Sequence, residues 1–64
     1  MIVWAIKNSE GLYYQGEICG FTYLSCCEFF GVKEDAETEI DIMKLEHCKP
    51  VMILLKELEE ENEN

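Results

Sequence analysis

The sequence predicts an α+β domain: a three- to four-stranded antiparallel sheet with one main helix packed on one face, ordered strand, strand, ambiguous segment, helix, strand. Three observations carry this. An alternating apolar run at residues 2–7 returns through Gly11 into an aromatic run at 12–15. Apolar residues recur at helical spacing from Ala36. An apolar run, Val51–Leu55, follows Pro50.

Residues 2–7 read as a strand, with Ile2, Trp4 and Ile6 on one face and Val3 and Ala5 on the other. Asn8-Ser9-Glu10-Gly11 is a turn, because Gly11 takes up the positive φ that a hairpin return needs. Leu12-Tyr13-Tyr14-Gln15 is the returning strand. Residues 16–20 read as a loop or weak strand extension. For residues 21–31 two readings stand: a short helix from Tyr23 to Phe30, capped by Thr22 and stopped by Gly31, or a third strand over Cys27–Phe30. A run this short does not reveal its period.

A helix is predicted from Lys33 to Lys44. Ala36, Ile40, Met43 and His47 form its inner stripe. Ile42 and Leu45 fall off that stripe, which either ends the helix near Lys44 or presents a second apolar face to another subunit. Pro50 opens the last strand, where its missing N–H costs least. Val51–Leu55 is apolar on both faces, as expected of a central or doubly covered strand. The compact domain is expected over residues 1–57, with an acidic tail over 58–64 that continues a run begun at Glu57.

Size and charge bound the function. A 64-residue chain makes one domain, and a domain of this size buries only roughly 60% of its unfolded surface. Added stability would come from a metal, a partner or, most simply, a homodimer. Fourteen acidic residues against five lysines and no arginine give a net charge of −9, while 48% of residues are hydrophobic. That apolar content supports folding, where acidity with little apolar material would mean disorder. The charge disfavours direct binding of nucleic acid or anionic membrane and favours a basic protein partner. Solubility alone is the competing explanation of the acidity. The N-terminal run lacks the pattern of a signal peptide, and no apolar run reaches the roughly 20 residues that span a bilayer. A reducing cytoplasm is therefore expected, with Cys19, Cys26, Cys27 and Cys48 as free thiols.

No catalytic signature is present, and a non-enzymatic role is expected. Cys19, Cys26, Cys27, His47 and Cys48 are residue types that zinc takes, but six residues, then none, then nineteen separate the successive groups. That spacing fits no ordinary zinc knuckle, so neither metal nor cofactor is expected. A single histidine beside Cys48 is badly placed to activate it.

The acidic side chains form the more informative constellation. Glu34, Glu37 and Asp41 fall in one row on the predicted helix and Asp35 and Glu39 in another, each with neighbours about 5–6 Å apart. That spacing is comparable with charge recurring about every 3.4 Å along a nucleic-acid strand. A groove of lysine and arginine built for DNA or RNA would meet a similar ladder, and carboxylates pair well with arginine forks. A solvated helix face is the simpler reading of the same pattern. Glu59, Glu60 and Glu61 extend the charge into the tail, and Tyr13 and Tyr14 point to opposite faces of their strand, so one of them leaves the inner side and offers an anchor.

The opening strand ending in I-K-N, the turn N-S-E-G before L-Y-Y, the stretch F-F-G-V-K-E-D-A-E before a helix and the closing K-P-V-M-I-L-L-K together resemble small acidic phage-encoded proteins, some of which are anti-CRISPR proteins. The resemblance implies a short protein made in a bacterial host cytoplasm to block a host machine. The expected function is thus a protein-binding inhibitor of a basic nucleic-acid-binding surface, with a CRISPR effector as the leading partner class. The alternative is a small assembly module acting through an apolar sheet face or homodimerisation.

Overall fold

The computed structural model describes residues 1–54, so Leu55, the acidic tail and Glu59, Glu60 and Glu61 lie outside the described residues. Within it, β1 (Ile2–Lys7), β2 (Tyr13–Gly16), β3 (Gly20–Thr22) and β4 (Lys49–Leu54) form one antiparallel sheet in the order β3-β2-β1-β4. One helix, α1 (Lys33–Met43), packs against β1 and β4. The α+β architecture is as the sequence predicts.

The first hairpin is built locally. The Asn8 side-chain oxygen accepts from the Glu10 and Leu12 N–H groups, both at 2.9 Å. The Asn8 N–H donates to the Leu12 carbonyl at 2.8 Å, and Gly11 sits at φ 85°, a region that favours glycine. Beyond Lys7 paired with Tyr13 the two strands part. Residues 28–30 enter the gap: Trp4 and Phe30 exchange both backbone hydrogen bonds (2.8 and 2.7 Å), and the Glu28 N–H donates to the Tyr14 carbonyl (3.0 Å).

The ambiguous segment thus resolves into neither reading. Residues 20–22 are a short strand, Leu24–Cys26 is a single 3-10 turn, and Phe30 makes an isolated bridge. Thr22 ends β3 and caps nothing. The residue preceding the turn is Tyr23, which makes no side-chain cap. The 3-10 turn bonds within itself, whereas Glu28 and Phe30 pair with Tyr14 and Trp4, contacts that no local signal encodes.

The core joins Ile6, Tyr14 and Ala36, with Trp4, Phe21, Phe30, Ile40, Leu45 and Cys48 packed around them. Tyr14 meets Phe21 edge-on at 5.8 Å. Two expectations are corrected here. His47 is exposed and outside the helix, whereas Leu45 reaches the core. The cause is a left-handed turn at Lys44 (φ 53°, ψ 51°): the Lys44 N–H and the Leu45 N–H both donate to the Ile40 carbonyl, the latter at 3.0 Å. That is a Schellman-type stop, which swings the residue after the cap back over the last turn. The second correction is β4, which is an edge strand and not a central one. Met52 and Leu54 are 56% and 62% exposed.

Candidate functional site: an acidic helix face

α1 turns Ala36, Ile40 and Met43 inward, which commits its remaining positions to solvent. Glu34, Asp35, Glu37 and Asp41 are exposed, and Glu39 is half-buried. The observed span keeps the two rows read from the sequence on either side of Thr38, whose hydroxyl donates to the Glu34 carbonyl at 2.8 Å. Glu34 and Asp35 lie in the first turn, where the helix dipole favours negative charge.

Glu39 ties the helix to the sheet. The Tyr14 hydroxyl donates to its Oε2 at 2.9 Å. Burial first, then this hydrogen bond, then the negative charges of Glu39, Glu28 and Glu17 push the Tyr14 hydroxyl up to about 12. That field reveals a feature the sequence does not display. Glu17 from the β2–β3 turn and Glu28 from the inserted segment stand near enough to Tyr14 to act on it alongside Glu39. Three stretches of chain thus contribute negative charge around Tyr14, and the wedge at residues 28–30 brings the last of them there.

The two tyrosines separate. Tyr14 is 2% exposed and cannot serve as a contact residue. Tyr13, on the opposite side of the strand, is half-buried with the Lys7 ammonium 5.7 Å from its ring centroid. Since Tyr14 reaches α1, Tyr13 faces the other side of the sheet and does not share a surface with the helix carboxylates. Ile42 does: it is 64% exposed on α1, three residues on from Glu39 and four on from Thr38.

The remaining chemistry-bearing residues stay dispersed. Among the described residues no three His, Cys, Asp or Glu side chains converge to hold a metal ion, and the four cysteines are free thiols. Burial pushes the Cys27 and Cys48 thiols up, the opposite of what an activated nucleophile needs. An open groove of about 740 Å³ runs between the hairpin turn and the start of β4, lined by Lys7, Lys49 and His47 with Asn8, Ser9 and Glu10 among their neighbours. It gathers basic side chains at the end of the sheet where β4 begins. Among the described residues no helix is long and apolar enough to cross a membrane.

Comparison with protein-family models, with curated proteins and with solved structures finds no match.

Proposed function

We propose that this protein is a non-enzymatic inhibitor that occupies a basic, nucleic-acid-binding surface of another protein. The observation that carries the reading is the acidic face: Glu34, Asp35, Glu37 and Asp41 stand in solvent on one helix, and Glu39, Glu28 and Glu17 add negative charge around Tyr14. Carboxylates at fixed positions engage lysine and arginine side chains that otherwise hold phosphates, and the summed field steers the encounter. Rigid presentation limits the ordering cost of binding. Ile42 supplies the apolar anchor, on the side of α1 that carries Asp35 and Glu39, in place of a tyrosine. A bacterial CRISPR effector is the partner class proposed, and the bacterial cytoplasm the compartment.

The test is competition. A purified CRISPR effector is loaded with fluorescent target DNA, and the protein is titrated in. Wild type displaces the DNA. A variant carrying Glu34→Gln, Glu37→Gln and Asp41→Asn requires at least about tenfold more protein, since charges meeting basic partners carry a kcal/mol or more each when desolvated. Equal displacement by both proteins removes the proposal.

A further inference from the structure

We infer that the outer edge of β4 is a self-association surface, on which a second copy of this chain adds its own β4 antiparallel. The backbone settles which groups face outward. Trp4 spends its N–H and its carbonyl on Phe30, and along an antiparallel strand these groups alternate sides residue by residue. Val3, Ala5 and Lys7 therefore point to β4, and their partners Ile53, Val51 and Lys49 point back. Pro50, Met52 and Leu54 direct their backbone groups away from β1. Proline thus sits where the fold itself requires no donor, and Met52 and Leu54 offer N–H and carbonyl groups to which no described strand pairs.

The side chains agree with the backbone. Ile2, Met52 and Leu54 lie on the α1 side of the sheet, as Trp4 and Ile6 do, yet they remain 51%, 56% and 62% exposed. Edge strands are ordinarily blunted by charge, proline or twist. After Pro50, the run Val51-Met52-Ile53-Leu54 carries no charge or proline.

A second copy fits this edge in one register better than in its neighbour. A two-fold axis at Ile53 pairs Met52 with the partner's Leu54 twice over, each pair exchanging both hydrogen bonds. An axis at Met52 instead sets Leu54 against the partner's Pro50, which has no N–H to give. The Ile53 register lays the two bare apolar ends together. It also sets Pro50 and its copy six residues, roughly 20 Å, apart along the strands.

The dimer has both helices on one side of a continuous sheet.

The experiment is sedimentation equilibrium of the full chain. The dimer is expected to tighten as salt rises, because screening relieves repulsion between two bodies of charge −9. Binding through the acidic face weakens with salt, so the two proposals fail separately. Met52→Pro removes an N–H that only the second copy would use. It leaves the monomer folded by circular dichroism and weakens the dimer at least about tenfold, the worth of a lost buried hydrogen-bond pair. Met52→Lys does the same through its side chain, and Glu34→Gln with Glu37→Gln leaves association at wild-type strength or stronger. A wild-type protein monomeric at about 1 M salt, where screening confines charge effects to about 3 Å, overturns the inference. So does a folded Met52→Pro variant that associates as well as wild type.

Discussion

Tyr14 concentrates much of the physics of the fold in one side chain. Its ring fills the core and its hydroxyl fastens α1 to β2 through Glu39. Unfolded, a tyrosine loses its proton near pH 10; here it does so at about 12. Between those values the unfolded chain binds fewer protons, so stability falls as pH rises. The contribution is intact below pH 10 and amounts to roughly 2–3 kcal/mol across the window at about 1.4 kcal/mol per pH unit. Denaturant titrations from pH 9 to 12 should therefore show a steeper alkaline loss for wild type than for Tyr14→Phe, and equal slopes would discount the buried hydroxyl. The cysteines give a second residue-scale outcome. Cys19 and Cys26 are exposed, whereas Cys27 and Cys48 are partly buried with raised thiols. Alkylation followed by peptide mass mapping should mark the first pair before the second. Exposure at this scale was only half legible in the sequence. That Tyr13 and Tyr14 face opposite ways follows from strand geometry, but which of them is inward depends on where α1 lies.

Elements whose signals are local were legible, and those that depend on distant partners were not. Asn8 and Gly11 specify the first hairpin by themselves, and the spacing of Ala36, Ile40 and Met43 specifies α1. The end of α1 misled because a lysine, not a glycine, adopts the left-handed turn, so the apolar period runs on in sequence to His47 while the chain has already reversed onto Leu45. A non-glycine residue there costs about 1 kcal/mol. Lys44→Gly should accordingly raise stability by about 1 kcal/mol, or roughly 4–8 °C in Tm for a domain of this size. The other end of α1 is equally improvable. Val32 holds the extended cap conformation with no side-chain hydrogen bond, and Val32→Ser should add about 0.5–1 kcal/mol in thermal unfolding. No change in either variant would mean that the helix ends do not limit stability. The end of residues 21–31 was illegible for a different reason: Glu28 and Phe30 bond to Tyr14 and Trp4, far away in sequence.

At the scale of the whole molecule, charge and apolar surface are segregated. Carboxylates crowd α1 and its flank near Tyr14, Lys7 and Lys49 sit together on the opposite face of the sheet, and bare apolar side chains mark the far end of β1 and β4. The acidic ladder on α1 was visible in the sequence because helical spacing is local. The contributions of Glu17 and Glu28 were not, because the inserted segment places the second of them. A strand apolar on both faces likewise does not disclose whether it is central or at an edge, and β4 proved to be an edge. These surfaces give the two proposals opposite responses to ionic strength. The central claim is the acidic one, and the salt slope of effector binding tests it most directly. Across about 50–300 mM salt, affinity should fall steeply as screening grows, and substitution of Glu34, Glu37 and Asp41 by their amides should flatten that slope. A wild-type affinity indifferent to salt, or a slope that the three substitutions leave unchanged, would contradict it.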